Sequence, residues 1–130
     1  MKFEEVCARD LMTSKVVTIE RTETLRNAVR CMSEHDIHSL LIPPIHPRGG
    51  YSILTGKDCI EVICNVGNEA LDELCVEDAM TSPALTVAAD ACAAECIQLM
   101  RNSGVRTVPV LDGKKLLGIL SFTDILRAVA

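Results

Sequence analysis

Twice along the chain the period of apolar positions changes in the same order. A short β-rich segment, Val16-Val17-Thr18-Ile19 and later Ala84-Leu85-Thr86-Val87, leads to a helix start at Thr22 or Asp90, both good N-cap types. Leu25, Ala28, Val29 and Met32 then follow at i, i+3, i+4 and i+7, and Ala93, Cys96, Ile97 and Met100 repeat that spacing. The apolar runs Ser39–Ile42 and Thr107–Leu111 read as strands. Turn-rich Pro43–Gly50 or Asp112-Gly113 separates them from a second strand, Tyr51–Leu54 or Leu116–Leu120. A closing helix is predicted over 57–66 and again over 122–129. The unit is β-α-β-β-α, twice.

The repetition extends to residue identity. An offset of 68 lays Asp10-Leu11-Met12-Thr13-Ser14 on Asp78-Ala79-Met80-Thr81-Ser82, Met32 on Met100 and His38 on Arg106. Near the end of each unit an offset of 66 lays Ile53-Leu54-Thr55 on Ile119-Leu120-Ser121 and Asp58 on Asp124, so the first copy carries the longer loop. The expected organisation is repeat 1 over 6–66, a linker over 67–75 with a turn of helix near Glu69–Leu74, and repeat 2 over 76–130. The fold class expected is α/β (α+β).

Composition narrows the functions. With 130 residues, 48% of them apolar, one compact core can form. Aromatic residues make up 2% of the chain and Trp is absent, so a flat ligand would be gripped by aliphatic side chains. The net charge of -5 disfavours nucleic acid, whose affinity comes largely from cations neutralising phosphates. No apolar run approaches the roughly 18 to 20 residues that span a bilayer, and the acidic start Met1-Lys2-Phe3-Glu4-Glu5 is not a signal peptide, so no membrane and a cytoplasmic location are expected. Seven cysteines, an odd number, imply reduced thiols.

Gly118-Ile119-Leu120-Ser121-Phe122-Thr123-Asp124 resembles the nucleotide-contacting signature of cystathionine-β-synthase-type (CBS) domains, and Arg106-Thr107-Val108-Pro109-Val110 is similar to the apolar-Pro-apolar strand that precedes it. The resemblance runs from about Val6 to Ala130. It implies a CBS pair, or Bateman module: two repeats packed about a pseudo-twofold axis, with clefts between them that take AMP, ADP, ATP, S-adenosylmethionine or a related ligand. It also implies a homodimer, a regulated partner protein, no required cofactor and no enzymatic activity.

Thr55-x-x-Asp58 and Ser121-x-x-Asp124 each fall where a strand turns into a helix, a place that favours phosphate through backbone N–H groups and the helix dipole. A carboxylate there can accept from a ribose diol, and the hydroxyl can donate to a phosphate. On spacing alone a capping box reads equally well; the strand signature and the repetition favour binding. By resemblance, the Asp124 cleft draws in Thr13, Ser14, Val16, Ile37 and His38 with Arg106 and Ile119. The Asp58 cleft draws in Thr81, Ser82, Ala84, Val105 and Arg106 with His38 and Ile53. Arg106 and His38 are the phosphate candidates, Arg106 the stronger because it is always charged, although a solvated strand-end cation is its plain alternative. Ser52 in place of Gly118 and Leu41 in place of Pro109 weaken copy one, which ranks the Asp124 cleft first. Lys57 offers a cation where Thr123 cannot.

The remaining constellations have simpler readings. Cys96 sits at the core position matched by Ala28 and is expected to fill space, with Cys92 one turn away. No Cys-x-x-Cys occurs, and His35, His38 and His46 straddle a helix end and a strand start, so no metal site is expected. The rival function is a protein-interaction module with vestigial clefts and exposed helix faces. A thiol-based redox or metal sensor is a third reading.

Overall fold

The computed structural model describes residues 1–130. In chain order the elements are α1 (Ala8–Leu11), α2 (Leu25–His35), β1 (Ser39–Ile42), β2 (Ser52–Thr55), α3 (Gly56–Asn65), α4 (Ala70–Glu73), α5 (Val76–Ala79), β3 (Val87–Ala88), α6 (Ala93–Ser103), β4 (Thr107–Asp112), β5 (Lys115–Ser121) and α7 (Phe122–Val129). It is an α+β fold in which copy two keeps the β-α-β-β-α order read from the sequence (β3-α6-β4-β5-α7) and copy one keeps its α-β-β-α part (α2-β1-β2-α3).

The compact units do not follow the repeats. One unit joins Met1–Val16 to Leu85–Ala130, and the other is Val17–Ala84. Each unit thus holds the body of one repeat and the Met-Thr-Ser segment of the other. In the unit Val17–Ala84, β1 and β2 pair antiparallel, Ser39 opposite Thr55 and Ile42 opposite Ser52. Leu25, Ala28 and Met32 of α2 pack there with Leu40, Ile42, Leu54, Cys59, Leu71 and Val76. A buried side chain of the Leu or Val kind is worth about 1.5–3 kcal/mol, so this stripe is what holds α2 down. Arg26 forks onto Asp72, with Nε at 3.0 Å from one carboxylate oxygen and a second nitrogen at 3.1 Å from the other, and ties α2 to α4. That hydrogen bond holds the Asp72 carboxyl below its ordinary range.

In the other unit the sheet order is β3-β4-β5, β3 parallel to β4 and β4 antiparallel to β5 with an irregularity at Val110/Leu111. Cys96 and Met100 of α6 join Ala8, Val87, Ala89, Val108, Val110, Leu120 and Ile125 in its core. Cys96 is the core filler expected, and burial raises its thiol pKa.

Three features differ from the sequence expectation. Both long helices start two or three residues late, at Leu25 and Ala93, with Thr24 and Cys92 as extended N-caps. The reason is nonlocal: Leu25 N–H donates to Leu74 O at 3.0 Å and Ala93 N–H to Val6 O at 2.7 Å, so the backbone stays extended to meet a segment far along the chain, the linker in copy one and the start of repeat 1 in copy two. The opening strands shrink to a single parallel bridge, Thr18 with Leu41, in copy one and to two-residue β3 in copy two. Finally, the four-residue helices α1 and α5 stand just before each Met-Thr-Ser segment. The long helices end alike, α2 in left-handed Asp36 (φ 52°) and α6 in left-handed Gly104 (φ 70°).

Candidate functional site

Each unit brings one hydroxyl–carboxylate pair to a strand-to-helix junction. In Met1–Val16/Leu85–Ala130, Ser121 caps α7: its hydroxyl accepts from Asp124 N–H at 3.2 Å, and Asp124 Oδ2 accepts from Ser121 N–H at 2.8 Å and from the hydroxyl at 2.9 Å. The other carboxylate oxygen is also taken. Asp124 Oδ1 accepts from the Thr13 hydroxyl at 2.6 Å and from Arg127 at 3.1 Å, and Asp124 is buried. Thr13 is held there by a two-bond backbone bridge to Ile119 (2.8 and 2.9 Å). Gly118 makes that approach possible, since a Cβ on it would lie 2.5 Å from Thr13 O and 2.9 Å from Met12 Sδ.

In Val17–Ala84 the capping box is the same and its surroundings differ. Thr55 caps α3, accepting from Asp58 N–H at 3.3 Å, and Asp58 Oδ2 accepts from Thr55 N–H (2.8 Å) and its hydroxyl (3.0 Å). Thr81 bridges Ile53 as Thr13 bridges Ile119, at 2.8 and 3.1 Å. Its hydroxyl makes no bond to Asp58, however, and position 61, the counterpart of Arg127, is Glu. Ser52, the counterpart of Gly118, is buried and donates to the Ser82 hydroxyl at 2.8 Å. Asp58 is therefore half-buried with Oδ1 unpartnered, and it lines a hollow of about 220 Å³ with Glu61, Val62, Asn65, Val66, Asp78 and Ala79. A larger hollow of about 460 Å³ along α2, lined from Thr18 to Glu34, touches none of the candidate residues.

The capping reading and the binding reading thus meet at the same atoms. Gly56 N–H donates to His38 O at 2.9 Å and Phe122 N–H to Arg106 O at 3.0 Å. This leaves Lys57 and Thr123 as the first-turn residues whose N–H lacks a protein partner, and both are exposed. Ile37, His38, Ile53, Thr55, Lys57, Asp58, Thr81, Ser82 and Ala84 fall in the unit Val17–Ala84. Thr13, Ser14, Val16, Val105, Arg106, Ile119, Ser121, Thr123 and Asp124 fall in the other. Ile37 and His38 therefore belong to a different unit from Asp124, and Val105 and Arg106 to a different unit from Asp58. Arg127 was not singled out from the sequence, although its i, i+3 spacing from Asp124 is a readable signal. Beside Asp58, burial first and the Asp58 charge second push the Cys59 thiol up to about 11, which makes it inert at neutral pH.

The CBS domain family model matches residues 8–64 and 76–130. The chain belongs to the CBS domain family. Two CBS domains in tandem make it a CBS domain pair. It is 34% identical over 126 residues to the protein MK0525 of Methanopyrus kandleri, covering 95% of this chain and 60% of that relative, so it spans about three fifths of the relative's length. The hexameric CBS-CP12 protein from bloom-forming cyanobacteria superposes with a TM-score of 0.87 at 31% identity, over 94% of this chain and 71% of that one. The CBS domain pair of MJ0100, determined in complex with 5'-methylthioadenosine and S-adenosyl-L-methionine, superposes with a TM-score of 0.80 over 95% of both chains; at 21% identity it speaks for the fold alone. No helix is long and apolar enough to cross a membrane.

Proposed function

We propose that this CBS pair is a regulatory module that binds an adenosyl ligand, AMP, ADP, ATP or S-adenosylmethionine, and that the ribose is taken by an aspartate at a strand-to-helix junction. The observation that carries the reading is the state of Asp58: a half-buried carboxylate fixed through Oδ2 by its capping box, with Oδ1 unpartnered at the start of α3. An acceptor held this way loses little entropy when a diol binds it. Lys57 N–H and the exposed Thr81 and Ser82 hydroxyls supply donors in the same unit. The ligand class itself is carried over from the resemblance to CBS domains, and the MJ0100 pair shows that this fold can hold adenosyl ligands. Asp124 has both oxygens satisfied internally, so the hydrogen bonding ranks Asp58 above Asp124, the reverse of the order that Gly118 and Ser52 suggest.

Calorimetric titration with each ligand tests this. A bond from a ribose hydroxyl to a charged acceptor is worth about 1.5–3 kcal/mol, so Asp58→Asn is expected to weaken binding roughly tenfold to a hundredfold, and Asp124→Asn to weaken it less while lowering stability. If Asp124→Asn abolishes binding and Asp58→Asn leaves it intact, the ranking is overturned; if no ligand binds at millimolar concentration, the reading itself falls.

A second reading, docking on a partner protein or a second copy, is favoured by exposed large apolar side chains on the closing helices. Ile60 on α3 is 57% exposed, and Leu126 and Val129 on α7 are 65% and 56% exposed. Light scattering of wild type against Leu126→Lys tests association: a homodimer that dissociates in the variant supports it, and a wild-type monomer that retains no partner removes it.

A further inference from the structure

Of the seven cysteines, two face each other. Cys7, the N-cap of α1, and Cys92, the N-cap of α6, form an antiparallel backbone bridge within one compact unit. The bonds flanking them are Ala8 N–H to Ala91 O at 2.9 Å and Ala93 N–H to Val6 O at 2.7 Å. That pattern, bonds on both sides and none between, marks a non-hydrogen-bonded pair, in which Cα atoms stand about 4.5 Å apart and the two side chains project from the same face. A disulfide needs Cα atoms roughly 4.4–6.8 Å apart. Both residues are half-buried with free thiols. The duplication contains its own comparison: the corresponding bridge in the other unit joins Thr24 to Cys75 by the same two flanking bonds, 3.0 and 2.8 Å, and a threonine there excludes a disulfide.

We infer that Cys7 and Cys92 are a modification site, a dithiol that closes reversibly to a disulfide and staples the N-terminal segment onto the start of α6. The oxidant is a low-molecular-weight disulfide. One thiolate attacks it and releases one small thiol; the second cysteine thiolate then displaces the other, so two electrons from the pair reduce one small disulfide to two thiols. The segment so fixed is the one that carries Thr13 to Asp124.

The test equilibrates the reduced full chain with graded glutathione buffers, quenches by alkylation, and digests with trypsin and a glutamate-specific protease. Cuts at Glu77 and Glu95 separate Cys92 from Cys75 and Cys96. The expected product is a Cys7–Cys92 cross-linked peptide, two thiols fewer per chain, and an unfolding midpoint higher by about 5–10 °C, because the bond closes a long loop. Cys7→Ser and Cys92→Ser should each lose the cross-link and the shift, since serine is a good N-cap and preserves the fold; Cys75→Ser should keep both. Thr24→Cys should create a second cross-link, to Cys75. Absence of the Cys7–Cys92 peptide under oxidising buffer, or an unchanged midpoint shift in Cys7→Ser, overturns the inference.

Discussion

Gly118→Ala is the sharpest perturbation the structure offers. The new methyl would sit 2.5 Å from Thr13 O, a backbone atom that cannot swing aside, and ordinary contact begins near 3.4 Å. Either the clash stays or Thr13 retreats by about 0.9 Å. Retention costs about 1–3 kcal/mol as overpacking. Retreat carries the two Thr13–Ile119 backbone bonds from 2.8 and 2.9 Å beyond hydrogen-bond range, at about 1 kcal/mol each. It also stretches the 2.6 Å bond from the Thr13 hydroxyl to Asp124, a charge-assisted bond worth about 1.5–3 kcal/mol. The protein takes the cheaper path or a mixture, so the expected loss is about 2–4 kcal/mol. Urea unfolding followed by far-UV circular dichroism reads it as a lower midpoint at unchanged slope. Ser52→Ala is the control at the matching position. It keeps a Cβ and loses one hydroxyl bond to Ser82, for about 1 kcal/mol. A Gly118→Ala protein within about 0.5 kcal/mol of wild type, the range of an ordinary surface change, would refute the close-approach argument.

Other outcomes follow from single contacts. Thr13→Val should cost about 1.5–3 kcal/mol by chemical denaturation, because it removes a hydroxyl donor from a buried carboxylate, whereas Arg127→Ala, at an exposed side chain, should cost well under 1 kcal/mol. Met100→Ala, at a fully buried position of α6, should cost about 2–5 kcal/mol. Asp36→Gly should raise the unfolding midpoint by a few degrees, since it places at a left-handed helix end the residue that copy two uses at Gly104. The Cys59 thiol pKa rises from 9.0 unfolded to about 11 folded. The folded state therefore holds its proton longer, and stability should fall as pH rises from about 9 towards 11. A Cys59→Ala protein should lose stability less steeply over that range, and parallel pH profiles would contradict the assignment.

The local architecture was legible in the sequence because it is written in short-range periodicity. The i, i+3, i+4, i+7 stripes at Leu25–Met32 and Ala93–Met100 are the faces that pack, β1 spans the four residues expected, and α7 spans Phe122–Val129 as read. The capping boxes at Thr55 and Ser121 were legible too, as one of two readings of the same four-residue spacing. What escaped was set by partners far along the chain. The extended N-caps at Thr24 and Cys92 answer to Leu74 and Val6; no local rule pairs Thr13 with Asp124, 111 residues away, and only the family resemblance put the two in one cleft. The sequence repeats and the compact units have different boundaries, and one unit joins two separate segments, because the backbone bridges of each Met-Thr-Ser segment are satisfied on the other repeat's strand.

That exchange gives the divergence between the copies its meaning. Were each Met-Thr-Ser segment packed on its own repeat, Gly118 would share a junction with Thr81 and Ser52 with Thr13. As folded, Gly118 and Thr13 share one junction, and so do Ser52 and Ser82. The differences then sort by unit. The unit ending in α7 carries Gly118, Thr13 and Arg127, which close the Asp124 carboxylate, and the facing pair Cys7 and Cys92. The unit Val17–Ala84 carries Ser52, Glu61 and Thr24 at the matching positions, leaving Asp58 with an unpartnered oxygen and Cys75 without a sulfur partner. On this reading a single chain divides two tasks between two copies of one fold: a latched, oxidisable half that sets stability, and an unlatched half whose aspartate is available to ligand. The division predicts that binding and oxidation separate by mutation. Asp58→Asn should impair the first while the Cys7–Cys92 cross-link still forms, and Cys7→Ser should abolish the second while reduced-state ligand affinity is unchanged; calorimetry and peptide mapping on the same two proteins measure both, and loss of both properties in either variant would show that the halves are not separable.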